Sequence, residues 1–380
     1  MVTWTDEQLA LQATTRRFVE REVAPHLQDW EDAHEVPRSL HLAAAKAGLL
    51  GVGFPEEVGG QGGSLLDTVA AQEAFFSAGG SSGLAAALFT GGIALPHIAA
   101  HGTPDQVDRF VRPVLAGEKI GSLGVTEPEG GSDVANIRTR AIREDDHYVV
   151  DGAKTFITSG VRADFVTTAV RTGAPGHGGI SLLVVERGTP GFEVTRSLDK
   201  MGWHCSDTAE LSFSGARVPA ANLVGIENAG FVMIAEQFVV ERIALAVHAY
   251  GIAARSLALA ADYAKQRQTF GKPLVANQVV RHDLVDMRRR VDVARTYTRA
   301  VAARHDAGED VIAEACMAKQ TAVECASYVC DRAVQLHGGT GYMHGIEVER
   351  HYRDARILPI GGGATEVLTD LSARLLGYTP

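Results

Sequence analysis

Apolar residues in the first third of the chain recur in a helical pattern, at Leu9, Phe18 and Val19 among others. Thr5-Asp-Glu-Gln opens this stretch like an N-cap followed by acidic first-turn residues. From Thr5 to about Gly117 the pattern predicts helices, interrupted at Pro25, at Pro37 and across the glycine-dense loop Gly51–Gly63. That loop carries neither of the common glycine-rich phosphate motifs. Between about Ile120 and Val224 short β-branched runs take over: Tyr148-Val-Val, Phe165-Val-Thr-Thr-Ala-Val, Ile180-Ser-Leu-Leu-Val-Val and Leu211-Ser-Phe. Gly, Pro and Asp punctuate them, which predicts a compact antiparallel β-domain. After Gly225 the helical period returns, with segments near Phe231–Arg267, Asn277–Ala307 and Asp310–Leu336 that suggest a bundle. The fold class is α+β: an all-α domain (1–119), a central β-domain (120–226) and a C-terminal helical bundle (227–380).

The chain's 380 residues exceed what one compact domain normally holds, and its 46% hydrophobic and 22% charged residues are those of an ordinary folded protein. A net charge of −10 repels polyphosphate backbones, so nucleic acid is excluded as a partner. The start lacks a basic and then apolar leader, and no stretch approaches about 18 uncharged apolar residues. A cytoplasmic protein with no membrane partner is therefore expected. Cys205 stands alone and Cys316, Cys325 and Cys330 match no metal or redox spacing, so buried thiols and no metal are expected.

Glu241 interrupts an apolar helical stripe formed by Ile234, Phe238, Leu245 and, one turn on, His248. For a carboxylate chosen at random, an ion pair or solvated edge is the commoner explanation. Here the stripe is the core-facing side, and Arg242 projects about 100° away around the helix, so the two do not simply neutralise each other. Desolvation raises such a group's pKa, as a general base acting near neutrality on a weak carbon acid requires.

Other segments carry polar groups beside glycines: Val125-Thr-Glu-Pro-Glu-Gly-Gly-Ser-Asp133, Lys154-Thr-Phe-Ile-Thr-Ser-Gly160, Arg267-Gln-Thr-Phe-Gly-Lys272, Gln335-Leu-His-Gly-Gly-Thr-Gly-Tyr342, and Tyr352 through Glu366. Singly, each reads as a turn or strand end. In this order and spacing they resemble the acyl-CoA dehydrogenase family, and the resemblance spans essentially the whole chain.

The resemblance implies a β-barrel-like middle domain, a C-terminal four-helix bundle and FAD held between them. It places Val125, Thr126 and Ser132 at the flavin and its ribityl-phosphate, with Ser132 also near the acyl-CoA. Phe156 and Thr158 would flank the isoalloxazine, Phe156 standing where many members have Trp. Arg267, Phe270, Gln278, Gln335 and Gly339 match residues that reach the FAD of a neighbouring subunit, which implies a homotetramer built as a dimer of dimers. In Ile360-Gly-Gly-Gly-Ala-Thr-Glu366 the family's frequent Tyr-Glu-Gly-Thr-Ser is altered, and Gly362 replaces the usual catalytic Glu.

The isovaleryl and long-chain branches instead carry their base immediately before an Arg on the first bundle helix, which matches Glu241 before Arg242. The catalytic pair implied is Glu241 with the backbone of Gly362. Ser132, Val239, Arg242, Gly362 and Gly363 fall on the acyl-thioester side, and Glu366 lies in the cofactor-contacting turn, where Ala364 replaces a usual Thr. The implied reaction is α,β-dehydrogenation of a medium-to-long or branched acyl-CoA, with electrons passing to an electron-transfer flavoprotein. Alternatives within the same fold are an acyl-carrier-protein dehydrogenase, motivated by Val239 in place of an Asp, a flavin oxidase, and a flavin-binding relative without catalysis.

Overall fold

The computed structural model describes residues 3–378. Its N-terminal part runs through α1 (Asp6–Phe18), α2 (Leu27–Ala33), α3 (Arg38–Lys46), α4 (Leu65–Ser77) and α5 (Ser82–Leu88). The shorter α6 (Gly91–Ala94), α7 (Pro96–His101), α8 (Pro104–Gln106) and α9 (Arg112–Leu115) follow. Several of these helices start where the local chemistry dictates. Thr5, Ser64 and Thr103 each accept the N3 backbone N–H, while Gln8, Asp67 and Gln106 reach back to the cap's own N–H. Two donors that would otherwise be orphaned are satisfied each time.

Strands β1 (Gly121–Gly124), β2 (Arg140–Glu144), β3 (His147–Thr158) and β4 (Phe165–Arg171) are joined by β5 (Ile180–Glu186), β6 (Phe192–Ser197), β7 (Thr208–Pro219) and β8 (Leu223–Val224). They form one sheet in the order β6-β7-β3-β2-β4-β5-β8, with β1 beside β4. Most pairs are antiparallel, as expected, but β1 runs parallel to β4, Gly121 lying opposite Phe165. A parallel neighbour requires a long crossover, here the β2–β3 hairpin and its flanking loops, and turn spacing gives no sign of one. Strands β4 and β5 are buried over nearly their whole length, which is why their runs are continuously apolar rather than alternating.

The C-terminal part contains α10 (Gly230–Gln266), α11 (Gln278–Asp306), α12 (Ile312–His337), α13 (Glu347–Ala355) and α14 (Thr365–Leu375). Between α10 and α11 a two-strand hairpin, β9 (Gln268–Thr269) and β10 (Lys272–Pro273), turns through Phe270 and Gly271, both at positive φ. That is the backbone of a tight hairpin whose twist matches its strands. Alanines line the contact between α10 and α12: Ala246, Ala249, Ala253 and Ala260 on one, Ala315, Ala318, Ala322 and Ala326 on the other, all buried. Small side chains let these helices pack closely along much of their length.

One apolar core joins the N-terminal helices to the bundle through Phe76, Leu84, Tyr250, Met287 and Val329. A second joins α7 and the sheet to the start of α10 through Ile98, Phe110, Phe165, Ile180 and Ile234. Helix α10 therefore belongs to both, and its first turns are wedged between helices and sheet.

Asp354 of α13 is a polar node at the same three-way junction. It accepts the backbone N–H of Trp203 from the β-domain at 2.7 Å and that of Gly83 from α5 at 3.2 Å. Burial, with Glu31 nearby, pushes its pKa up to about 7. Asp354→Ala leaves two buried N–H groups without acceptors, an expected cost of about 2–4 kcal/mol. The check is thermal unfolding at fixed protein concentration: the midpoint should fall by several degrees, and an unchanged midpoint removes Asp354 from this role.

Candidate active site

Glu241 sits at the start of the fourth turn of α10, with its carboxyl lining a narrow cleft. The cleft's other walls are Gly92 and Ile93 of α6, His97 of α7, Leu123 of β1, and Ile234, Gln237 and Phe238 of α10 itself. Among the described residues no donor hydrogen-bonds this carboxyl. Burial therefore raises its pKa above the ordinary 4.5, with Lys319 and Arg242 opposing from a distance. Arg242 is buried on a different side of the helix, its guanidinium 4.8 Å from the centre of the Phe238 ring. Val239 is buried in the core of the bundle.

The turn 361–363 lies against Glu241. Gly362 has φ +64°, and a Cβ added there would sit 3.3 Å from Glu241 Oε1 and 2.2 Å from Leu245 Cδ1. A side chain at 362 and the Glu241 carboxyl therefore address the same point in space. Leu245 fills the room that a side chain from the turn would need. The Gly362 N–H donates to no group among the described residues, so an unengaged donor belongs to the turn that lies against the unpaired carboxyl. Gly363 follows at φ +102°, and Glu366 is exposed in the first turn of α14.

On the β-domain side, the loop containing Val125, Thr126 and Ser132 is tied to β3. The Thr155 N–H donates to the Thr126 carbonyl at 3.0 Å, and Lys154 Nζ donates to the Val125 carbonyl at 3.0 Å and to Glu127 Oε1 at 2.8 Å. Glu127 in turn accepts the backbone N–H of Arg138 and Thr139. Burial disfavours its charge, but Lys154 and these donors outweigh that and hold its pKa below the ordinary value. Lys154 is fully buried and is pushed down to about 8 by burial, with Glu127 opposing. Both partners stay ionised at neutral pH.

Beside this clamp, β3 bulges between Lys154 and Ile157, and Phe156 is thrown outward at φ +60° with 68% of its surface exposed. Left-handed backbone at a bulky residue is uncommon and clusters at functional sites. Val125 packs against the same apolar core as Phe231 and Phe238 of α10, so loop and Glu241 helix share one core.

FAD fits this surface. It needs a flat apolar face for its ring, hydroxyls and amides around it, and open backbone for its phosphates. Phe156, with Thr126 and Thr158 near it, meets the first two needs, and a Cβ built at Gly130, in the loop 125–133, would meet nothing within 4 Å.

Arg267, Phe270, Gln278, Gln335 and Gly339 do not join Glu241 within one chain. Arg267 caps the far end of α10, about 39 Å from Glu241 at roughly 1.5 Å per residue. His337 stacks on Tyr263 at 4.4 Å, which places Gln335 and Gly339 at that same distant end. Phe270 is fully exposed at its hairpin tip.

Lys319 and His97 escaped the sequence reading, and Lys154 and Leu245, named there within a motif and an apolar stripe, were given no role of their own. Both ring nitrogens of His97 are buried without partners, and burial pushes its pKa down to about 4, so it is neutral. For Lys319 a signal was present, a lone cation among alanines on a buried helical face, as for Glu241. The four cysteines are buried free thiols, as expected.

Models of the acyl-CoA dehydrogenase N-terminal, middle and C-terminal domains match residues 5–118, 122–216 and 228–377. The crystal structure of a probable acyl CoA dehydrogenase from Mycobacterium abscessus superposes with a TM-score of 0.97 at 62% identity, over 98% of this chain and 99% of that one. The long-chain specific acyl-CoA dehydrogenase of Rattus norvegicus is 37% identical over 366 residues, 95% of this chain and 84% of the rat protein. Isobutyryl-CoA dehydrogenase of Bos taurus is 36% identical over 373 residues, 98% of this chain and 89% of the bovine one.

Two substitutions test the geometry. Gly362→Ala combines positive φ with a steric conflict at Leu245, and should cost about 1–3 kcal/mol in chemical denaturation; a neutral result means that the turn sits elsewhere. Lys154→Met strands a buried Glu127 carboxylate, a loss of about 3–5 kcal/mol. The purified variant should also release flavin at concentrations where the parent retains it, as read by absorbance after gel filtration.

Proposed function

The chain belongs to the acyl-CoA dehydrogenase family, and within that oxidoreductase chemistry on a CH–CH bond we propose that Glu241 is the base that takes the α-proton of the acyl thioester. The observation that carries this reading is the coincidence at Gly362, where the turn has no side chain and the Glu241 carboxyl lies 3.3 Å from where one would begin. Among the described residues the carboxyl has no competing hydrogen bond, and its raised pKa gives it the basicity the step needs.

FAD, when bound, supplies the acceptor for the β-hydrogen, which leaves with its electron pair. The chain's own groups do the rest. Glu241 removes the α-proton, and the free Gly362 N–H is the donor for the thioester carbonyl, whose oxygen gains negative charge as the proton leaves. The apolar walls Ile93, Leu123, Ile234 and Phe238 exclude water, which keeps the carboxyl basic and the acyl chain extended. Phe156, Thr126, Thr158, Val125 and Ser132 hold the flavin, with Ser132 also near the thioester, and Glu366 closes the turn beside it.

The substrate is a coenzyme A ester with a medium-to-long or branched acyl group. A base on the helix rather than the turn supports this, as do a rat relative named for long chains and a bovine one named for isobutyryl-CoA. The carrier portion runs past Gly363 and the outer face of α10, where Val239 and Arg242 shape the wall from within. The distant set Arg267, Phe270, Gln278, Gln335 and Gly339 serves the flavin of a second copy, so the working unit is a homotetramer. Fully exposed Phe270 supports that reading. Electrons leave to an electron-transfer flavoprotein, and the enzyme works in the cytoplasm. Among the described residues no helix is long and apolar enough to cross a membrane.

Glu241→Gln should bind FAD normally yet slow anaerobic flavin bleaching by an acyl-CoA at least about 10²–10⁴-fold. Bleaching at the parental rate refutes the assignment. In the parent, the base works only when ionised, so bleaching should fall as pH drops through the raised Glu241 pKa, giving an acid limb above pH 4.5. Stopped-flow reduction across pH 5–9 reads it.

A further inference from the structure

Lys319 lies on α12 with its side chain almost wholly buried, an uncommon place for an ammonium group. Its Nζ donates to the carbonyl of Gly361 at 2.5 Å and to that of Gly363 at 2.6 Å, the two residues flanking Gly362. These are short, charge-assisted bonds, and they bind the turn to α12 from behind. On its other side the turn meets α10, at Leu245 and Glu241. A run of three glycines has the greatest conformational freedom a chain can have, so without an anchor its amide directions would scatter. Among the described residues, the backbone N–H groups in and just after the run that find a backbone carbonyl are Gly361, on Ile357, and Thr365, on Pro359. They fix its ends and leave Gly362 unrestrained.

We infer that Lys319 is a positioning residue for the reaction: by gripping the Gly361 and Gly363 carbonyls it fixes the direction of the Gly362 N–H beside Glu241. The inference rests on Glu241 being the base, but its own evidence is the clamp. With both carbonyls turned back toward α12, the intervening amide is oriented away from them and toward the cleft. The ammonium has a second effect on the same site. It is a positive charge near a carboxyl that burial would otherwise drive further toward the neutral acid, so it holds Glu241 closer to its working state. The other titratable groups around the carboxyl are Arg242 on its own helix, neutral His97 across the cleft, and Cys316 on α12 beside Lys319 and Arg242. Lys319 itself is pushed down to about 8 by burial, with Glu241 opposing, and so is charged at neutral pH.

The test is Lys319→Met in the FAD-loaded protein, with Lys319→Gln as a second variant that keeps a donor without the charge. Hydrogen exchange read by mass spectrometry on the segment 357–366 should accelerate at least about tenfold in Lys319→Met. The acid limb of flavin bleaching should move to higher pH in both variants, because the carboxyl loses its cationic neighbour. Exchange across 357–366 at the parental rate in Lys319→Met overturns the inference, whatever the bleaching rate. Failure of the base assignment shows itself separately, as parental bleaching in Glu241→Gln with the Lys319 clamp still intact.

Discussion

An ionisable carboxyl placed in an apolar cleft without a hydrogen-bond donor costs several kcal/mol when charged, and a protein retains one only where the surroundings are otherwise held in place. Glu241 is such a group. Everything around it serves to keep the cleft apolar and its walls fixed: α10 is wedged between helices and sheet, Leu245 closes the space above Gly362, and Lys319 holds the glycine turn from behind. A donor to the carboxyl would make it more comfortable and less basic. The raised pKa is the consequence of leaving that donor out.

The same economy of charge appears on the β-domain side. Lys154 and Glu127 are both buried, but there each has partners, and the pair is a structural tie for the loop 125–133. Two buried cations thus have comparable surroundings and different consequences. Lys154 neutralises a carboxylate at hydrogen-bond distance, while Lys319 spends its donors on backbone carbonyls and acts on Glu241 only through space. The paired carboxylate has its pKa held down and the unpaired one has its pKa raised.

The long helices were legible because their apolar period persists for many turns, and α10, α11 and α12 begin and end within two residues of where that period does. Glu241 was legible for the same reason, as a break in a regular stripe. What escaped depends on contacts between distant segments. The parallel pairing of β1 with β4 leaves no mark on turn spacing. Leu245 and Lys319 acquire their roles only when the turn 361–363 is folded against α10 and α12. The left-handed Phe156 is a bulge decided by the register of β3 against β7, and nothing in Lys-Thr-Phe-Ile-Thr announces it. The separation of Arg267, Phe270, Gln335 and Gly339 from Glu241 follows from the length of α10, and it agrees with the resemblance, which assigns this set, with Gln278, to a neighbouring subunit's flavin.

The most direct test of Glu241 isolates proton removal from oxidation. An acyl-CoA analogue with sulfur in place of the β-carbon has α-protons to give and no β-hydrogen to lose. In D₂O the parent enzyme should exchange those α-protons, read by proton NMR, and Glu241→Gln, with its flavin still bound, should leave them untouched. Exchange at equal rates in the two proteins would contradict the account.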